Sequence, residues 1–239
     1  MTDGAGTALS PEQLAAAVAT APGRELGSGY QASVRVVSTP AGDIVVKRPH
    51  GGVLAMLWRY LLRREHSVYT RLGGIAGIPR AYGLIGGEAL ALEYITGPSL
   101  REHDAALAHR DEFFARLLAT VLAMHAVGVA HGDLKRKHNV IVGAGEQPYL
   151  IDFGIACLRD GLFGRLVFTT FRQMDLNAWL KLKYGRRLED IVEPEAVSVE
   201  DAALYRPLLI ERLARAIRVP WQLVTLRRPR QRWRARKRR

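Results

Sequence analysis

Apolar and polar positions in the N-terminal part of the chain form short segments separated by turns, a pattern that predicts β-strands. The predicted strands cover residues 25–26, 33–38, 43–47, 81–85 and 89–95. A longer segment, 55–72, is rich in Leu and Arg, lacks glycine and proline, and predicts a helix that ends at Gly73-Gly74. Ahead of the strands, Ser10 and Pro11 are typical of a helix start, and a short helix is expected to about residue 19.

The second half of the chain changes to a helical period. Apolar residues recur with i, i+3, i+4, i+7 spacing from Phe114 to His125, which predicts an amphipathic helix over 111–127. Ser99 and Glu102 form a capping-box pattern that predicts another helix start. Short apolar segments at 139–142 and 149–151 predict two strands joined by a turn. Residues 173–223 are expected to be mainly helical, with interruptions near 185 and 194. The fold class predicted by these patterns is α+β.

The composition is typical of a globular protein and does not predict a membrane span or a disulfide-linked chain. The 239 residues are 48% hydrophobic and 24% charged, which is typical of a globular chain. No apolar run approaches the roughly 18–20 residues of a membrane-spanning helix. Residues 1–21 contain no Arg or Lys and carry Asp3 and Glu12, a pattern unlike a secretory signal. Cys157 is the only cysteine, so an intrachain disulfide is excluded and a reducing, cytoplasmic compartment is expected.

The net charge is concentrated at the C-terminus. Of the total of +12, nine positive charges lie in residues 227–239, which contain no acid, and +3 remains for the rest of the chain. Such a basic tail is attracted to phosphate groups, so RNA or an anionic membrane surface is its expected partner. Membrane binding would place the protein at the inner face of the membrane. The alternative is a solvated terminus without a specific partner.

Three features in the N-terminal, strand-rich part of the chain suggest a nucleotide site. Residues 27–34, with the sequence Gly-Ser-Gly-Tyr-Gln-Ala-Ser-Val, lie between two predicted strands. Glycines in such a turn let backbone N–H groups approach phosphate oxygens without a Cβ clash, although a plain hairpin turn explains them as well. Lys47 ends a predicted strand and is the candidate cation of such a site. The alternative is a lysine whose charged end simply reaches solvent at the edge of the sheet. Glu65, the only carboxylate between Lys47 and Glu88, is either the partner of that lysine or an ordinary surface glutamate beside Arg63 and Arg64.

Two downstream segments carry the most specific pattern. His131-Gly132-Asp133-Leu134-Lys135 opens a run that reaches Asn139, and Asp152-Phe153-Gly154 begins thirteen residues after Asn139. In this order, with the glycine-containing turn, the lysine and the glutamate before them, the segments resemble those of the protein-kinase-like superfamily. Residues 27–34 resemble its glycine-rich loop, with Ala32 at the third glycine position, and residues 91–100 resemble its hinge.

The resemblance implies a bilobal kinase-like fold and ATP-dependent phosphoryl transfer with Mg²⁺. The implied domains are an extension over 1–23, an antiparallel-sheet lobe over 24–96, a reduced, mainly helical lobe over 97–223 and a basic tail over 224–239. Asp133 would orient the acceptor hydroxyl and take its proton, and Lys135 would neutralise charge on the transferred group. The implied site residues are Gly27, Gly29, Ala32, Val34, Lys47, Glu65, Glu93 and Ile95 for the nucleotide, Asp133 and Lys135 for catalysis, and Asp152 with Asn139 for the metal.

Three departures from the family pattern narrow the resemblance. Gly132 stands where many regulated protein kinases have an arginine that pairs with a phosphorylated segment. His138 holds the spacing at which the family has its second metal ligand, and Asn139 comes one residue later; Asn139 is preferred because Mg²⁺ favours oxygen ligands, with His138 as the alternative. Only 85 residues follow Gly154, with no Ala-Pro-Glu, which resembles compact atypical kinases of the RIO type or bacterial kinases of lipopolysaccharide heptose or Kdo. Asp175 matches either the family's bracing helix aspartate or an exposed acid at a helix start.

These observations leave three hypotheses for the function. The first is an active kinase of serine or threonine hydroxyls in proteins, which the Asp133-Leu134-Lys135 sequence favours. The second is a kinase of a lipopolysaccharide core sugar, favoured by the short C-terminal part, His138 and the basic tail. The third is a weakly active nucleotide-binding adaptor, against which the retention of Lys47 and Asp152 counts.

Overall fold

A computed structural model describes residues 14–16, 18, 23–28, 32–39, 42–185 and 197–208. The chain divides into two compact units, Met1–Asp190 and Ile191–Arg239. Residues 14–16 and 18 are helical, in agreement with the helix predicted over 10–19. Gly29 and the basic tail lie outside the described residues. Among the helices that are described, none combines the length and apolar character needed to cross a bilayer.

The first unit contains a five-stranded antiparallel sheet in the order β1-β2-β3-β5-β4. All five strands lie where the apolar segments and turns predicted them, with longer bounds at β1, β2 and β3 and an earlier end at β5. The strands are β1 (Gly23–Ser28), β2 (Ala32–Thr39), β3 (Gly42–Pro49), β4 (Ala81–Ile85) and β5 (Ala89–Glu93).

Alternation along β3 divides the sheet into two faces. Ile44 and Val46 point into a buried apolar cluster with Val37 of β2 and Ala91 of β5, because side chains two residues apart share one face. The residue between them, Val45, and Lys47 therefore point to the opposite face. The register places Lys47 opposite Val34 of β2 and Leu90 of β5. A cation is thus held on the less buried face of the central strand.

Helix α1 (Ala55–Arg71) connects β3 to β4 and packs against β3, β4 and β5. Its buried residues are Leu62, Glu65, Val68 and Tyr69, which follow helical spacing and form one face. Glu65 is the one acid on that face. A buried carboxylate requires a partner, since isolated burial of the charge is costly.

The helical part begins with a capping box. The backbone N–H and hydroxyl of Ser99 both donate to Glu102 Oε2, at 3.0 and 2.9 Å, and start the short helix α2 (Leu100–His103). Helix α3 (Arg110–Ala126) and helix α4 (Gly161–Tyr184) pack together. The Trp179 indole N–H of α4 donates to the Phe114 carbonyl of α3 at 2.9 Å. Buried apolar side chains of α3, with Phe114 and Leu117 fully inaccessible, form the core beneath the loops that follow.

Two short strand pairs hold those loops. The predicted pair is confirmed as β7 (Val140–Val142) and β8 (Pro148–Leu150). A second pair, β6 (Val129–Ala130) with β9 (Cys157–Leu158), was not predicted. Each of these strands has two residues, which is too short for any hydrophobic period to register.

The helix boundaries differ from the prediction at two places. Helix α4 begins at Gly161, twelve residues before the predicted start at 173, because the sequence Gly161-Leu162-Phe163-Gly164 has poor intrinsic helix propensity and is helical through its tertiary context. In the second unit, helix α5 (Val199–Leu204) is capped by Ser198, whose hydroxyl accepts from the Asp201 N–H at 3.1 Å. Residues 205–208 are not helical, and the prediction is wrong there, since Pro207 disfavours helical conformation in the residue before it.

Gly97 permits a close approach between the sheet and the loops. A Cβ at this position would lie 2.0 Å from the Val142 carbonyl oxygen, and φ is 154°. The neighbouring Pro98 carbonyl accepts from the Val142 N–H at 2.9 Å, so the two segments are hydrogen-bonded at this point. We expect Gly97→Ala to lower the free energy of unfolding by about 1–3 kcal/mol, because a backbone shift must relieve the overlap.

Urea denaturation followed by circular dichroism measures this change. Gly51→Ala is the matched control, because an added Cβ there meets no atom within 4 Å. If both variants unfold at the same urea concentration, the close approach at Gly97 does not constrain the fold.

Candidate active site

A cleft of about 770 Å³ lies between the sheet and the loops of the helical part. Its apolar walls include Leu26, Val34 and Val45 from the sheet and Ile141 and Ile151 from the loops. Charged and polar side chains line the same space. The polar and charged lining residues are Lys47, Glu65, Tyr69, Glu93, Tyr94, Ser99, Glu102, Asp133, Arg136, His138, Asn139 and Asp152.

Lys47 forms a buried ion pair at the inner end of the cleft. Its Nζ lies 2.6 Å from Glu65 Oε1 and 3.4 Å from Asp152 Oδ1. Burial acts to lower the pKa of the Lys47 ammonium, but the Glu65 carboxylate and then Asp152 outweigh it and raise that pKa well above its ordinary value. Lys47 therefore remains a cation across the physiological range. The alternation of side chains along β3 directs Lys47 towards the cleft, and the buried face of α1 places Glu65 against it.

Asp152 presents its carboxylate to the cleft. Its side chain is 52% exposed, although it lies within reach of the buried Lys47. The backbone of Asp152 has φ 68°, in the left-handed region that a residue with a Cβ adopts only at a cost of order 1–3 kcal/mol. The next residue, Phe153, is fully buried and anchors the segment. The turn thus directs one side chain outward and the next into the core.

Phe153 is held by two aromatic rings. Its centroid lies 5.1 Å from the Tyr69 ring in an edge-on arrangement and 4.7 Å from the His131 ring. The Tyr69 hydroxyl is buried beside the backbone of Asp152 and makes no hydrogen bond of ordinary geometry to any described residue. Burial, and then the Glu65 carboxylate, raises the pKa of Tyr69, so the phenol stays neutral. The contacts of Phe153 with Tyr69 and with His131 link helix α1 to the loop that carries Asp133.

Asp175 of α4 anchors that loop from below. Its Oδ2 accepts from the His131 backbone N–H at 2.7 Å, and its Oδ1 accepts from the Gly132 N–H at 2.8 Å. His125 Nε2 of α3 lies 3.0 Å from the same Oδ2. Asp175 is completely buried, so the bracing role is the one of its two predicted alternatives that agrees with the structure.

Gly132 has a physical reason to be glycine. Its φ is 77°, and a Cβ would lie 2.9 Å from the ring of Phe171. An arginine at this position, as in many regulated kinases, would face both the strained backbone and this ring. A larger side chain at this position would therefore require the backbone or the Phe171 ring to shift.

Asn139 and Asp133 are connected through the loop backbone. Asn139 Nδ2 donates to the Asp133 carbonyl at 3.1 Å, which leaves its Oδ1 as an acceptor. Asn139 is buried and His138 is exposed, although both line the cleft. The side-chain oxygens of Asn139 and Asp152 form a hard donor set of the kind that Mg²⁺ takes in proteins. Within the described residues, no group of three or more His, Cys, Asp or Glu side chains could hold a metal.

The cleft brings together most of the residues predicted from the sequence. Those that line it are Ala32, Val34, Lys47, Glu65, Glu93, Ile95, Asp133, His138, Asn139 and Asp152. Gly27 lies in β1 beside a register irregularity. Lys135 is exposed and does not line the cleft.

Several cleft residues were not assigned from the sequence, among them Tyr69 and Arg136. Tyr69 lies one helical turn after Glu65, so the i, i+4 spacing on α1 could have identified it. Arg136 belongs to a run of basic residues, 135–138, in which the sequence gives no reason to single it out.

Comparisons with known proteins find two curated relatives of this chain. One is a candidate cyclin-dependent kinase, F-2, of Oryza sativa subsp. japonica, 30% identical over 149 residues that cover 55% of this chain and 45% of the relative. The other is the candidate serine/threonine-protein kinase PkwA of Thermomonospora curvata, 32% identical over 143 residues that cover 55% of this chain and 19% of the relative. The matched region therefore spans less than half of either relative. No family model matches the chain.

The similarities support a relationship to the protein-kinase-like superfamily. They agree with the observed architecture, an antiparallel five-stranded sheet followed by a helical region.

Removal of the Asp175 carboxylate should loosen the loop and destabilise the unit. We expect Asp175→Ala to lower the free energy of unfolding by about 3–5 kcal/mol, because the N–H groups of His131 and Gly132 lose a buried charged acceptor. Chemical denaturation monitored by tryptophan fluorescence measures the loss. Asp111→Ala, which removes an exposed acid at the start of α3, should cost less than about 1 kcal/mol. Equal losses in the two variants would contradict the bracing role.

Proposed function

We propose that this protein is an ATP-dependent kinase that transfers the γ-phosphate to a serine or threonine hydroxyl of a protein. The observation that carries the proposal is the convergence of Lys47, Glu65, Asp133, Asn139 and Asp152 on one cleft. These side chains come from the sheet, helix α1 and two separate loops. A phosphotransferase requires this combination of a fixed cation, oxygen ligands for a metal and a carboxylate beside the acceptor.

In this proposal the inner part of the cleft binds ATP. The apolar walls, including Val34 and Val45, enclose the adenine, and the backbone near Glu93 and Ile95 hydrogen-bonds to it. Lys47, held by Glu65, contacts the phosphates. Asn139 and Asp152 would hold Mg²⁺, which neutralises charge on the phosphate oxygens when bound.

The outer part of the cleft carries the acceptor. Asp133 orients the hydroxyl and receives its proton while the acceptor oxygen forms a bond to the γ-phosphorus and the bond from that phosphorus to the ADP oxygen breaks. Lys135, which is exposed outside the cleft, would have to turn inward to neutralise the transferred group. By the same resemblance to the protein-kinase-like superfamily, the glycine-containing segment 27–34 would cover the phosphates. We further propose the lobe boundary near residue 96, with the sheet and the helical part on opposite sides of the cleft.

The choice of a protein hydroxyl rests on the names of the two relatives, both of which describe protein kinases. A lipopolysaccharide sugar as acceptor has no comparable support. Incubation with γ-labelled ATP and a lysate separated into protein and lipopolysaccharide fractions distinguishes the two acceptors. Label in the protein fraction supports the proposal, and label in the lipopolysaccharide fraction contradicts it. ATP binding without transfer of label to either fraction favours an adaptor.

Two substitutions should separate transfer from nucleotide binding. We expect Asp133→Asn to lower the rate of phosphate transfer at least about 100-fold while ATP binding is retained, because the proton acceptor is lost and the shape is kept. We expect Asp152→Ala to weaken Mg·ATP binding itself. Single-turnover labelling and equilibrium binding of a fluorescent ATP analogue measure the two effects. Asp111→Asn, an exposed residue on α3, is the control and should change neither. Unchanged turnover in Asp133→Asn would rule out the assigned mechanism.

The second metal ligand can be tested separately. We expect Asn139→Ala to raise the Mg²⁺ concentration needed for half-maximal transfer by about tenfold, because an oxygen ligand is removed. His138→Ala, its exposed neighbour, should leave that concentration unchanged. A titration of activity against Mg²⁺ measures both. The reverse result would assign the ligand to His138.

A further inference from the structure

The carboxylate assigned to the acceptor hydroxyl is already paired with a cation. Arg136 Nε lies 2.9 Å from Asp133 Oδ2, and the Arg136 backbone N–H donates to the Asp133 carbonyl at 3.2 Å. The Asp133 side chain is only 9% exposed, whereas the Arg136 side chain is 66% exposed. Most of the Arg136 side chain therefore faces solvent at the mouth of the cleft, and its Nε contacts the Asp133 carboxylate.

Arg136 differs in this respect from Lys137, the next cation of the loop. Lys137 pairs with Asp104, which also binds Arg110 of α3, so its charge is committed to holding the loop. Among the described residues, Asp133 is the only carboxylate within ion-pair distance of Arg136. Since a guanidinium has five donors in a planar fork, one bond to Asp133 leaves donors for a second anion.

The other acids that line the cleft have other partners. Lys47 pairs with Glu65 and Asp152, Glu93 accepts from the Arg80 N–H at 2.9 Å, and Glu102 accepts from the Ser99 N–H and hydroxyl. His138 is exposed in the cleft lining next to Arg136 in the loop. Arg136 is therefore the exposed cation of the cleft lining that lies beside Asp133.

The guanidinium end of this ion pair is open to solvent, and one Nε contact joins it to Asp133. Bidentate bonds from arginine to a phosphate or carboxylate are among the strongest polar contacts and exceed such a single contact. An incoming anion can therefore replace Asp133 as the partner of Arg136. The exchange would release the carboxylate just as an acceptor arrives.

We propose that Arg136 selects polypeptide acceptors in which an anionic side chain lies beside the serine or threonine, and that this anion draws the guanidinium away from Asp133. This inference rests on the proposed function and specifies its substrate class. Arg136 is a specificity-determining residue that contacts the acceptor. Aspartate, glutamate and phosphoserine share the required chemistry.

Matched peptides test the inference. Each peptide has one serine flanked by aspartate, phosphoserine or lysine, and its binding to the full chain with Mg²⁺ and a non-hydrolysable ATP analogue is measured by fluorescence anisotropy, alongside labelling with γ-labelled ATP. We expect the anionic peptides to bind and react at least about tenfold better than the lysine peptide. Arg136→Glu should abolish or invert this preference, and Arg136→Lys should retain part of it. A larger effect for phosphoserine than for aspartate would identify phosphate as the preferred anion.

Arg63→Glu is the matched control, since it makes the same charge change at an exposed residue of α1 outside the cleft lining. It should leave the preference unchanged. Nucleotide binding and the thermal midpoint verify that Arg136→Glu is folded. Equal binding of anionic and lysine peptides by the unmodified chain, or an anionic preference that survives in Arg136→Glu, overturns the inference. Preferential binding of anionic peptides that depends on Arg136 but yields no label contradicts the proposed function alone, whereas labelling without preference contradicts the inference alone.

Discussion

The arrangement of the candidate site depends on one buried carboxylate. Asp175 accepts backbone N–H groups from two consecutive residues, His131 and Gly132, and contacts His125 of a second helix. A loop is ordinarily the least constrained part of a fold, and here its first residues are fixed by a charged acceptor in the core. The position of Asp133 follows directly, since it is the next residue. The ring of His131 then supports Phe153, which sets the direction of Asp152.

The cleft separates charges by their degree of burial. The Lys47–Glu65 pair is enclosed between the sheet and α1, so its geometry is rigid and Lys47 remains protonated. Asp152 and Arg136 are exposed to the cleft and its mouth, where their charges can exchange partners. The inner pair provides a fixed cation, and the outer groups can change partners. In the proposed transfer reaction, the fixed cation would contact the nucleotide and the exchangeable groups would contact the acceptor.

The sheet and helix α1 could be predicted because each had a strong local signal, whereas most of the proposed site residues were identified through the resemblance of their segments to the protein-kinase-like superfamily. Alternation marks β2 and β3, and Glu65 was identified because no other acid lies nearby in the sequence. The start of α4 at Gly161 and the pairing of β6 with β9 could not be predicted, since both depend on tertiary contacts that override propensity. The ion pair between Arg136 and Asp133 could not be predicted from the sequence for a related reason. Four consecutive basic residues look equivalent in a sequence, and only the path of the loop assigns one to Asp133 and another to Asp104.

The contacts of Asp104 have a consequence for how solution conditions act on the protein. Partial burial acts to raise the pKa of the Asp104 carboxyl, but hydrogen bonds from Lys137 and Arg110 prevail and lower it. Its attachment of the loop is therefore retained at neutral pH and weakens only in strong acid, as the pH falls through this lowered pKa. Dissolved salt acts differently, because it screens partly exposed pairs far more than buried ones. Rising ionic strength therefore weakens the pairs of Asp104 with Lys137 and of Asp133 with Arg136 before it affects the pair of Lys47 with Glu65.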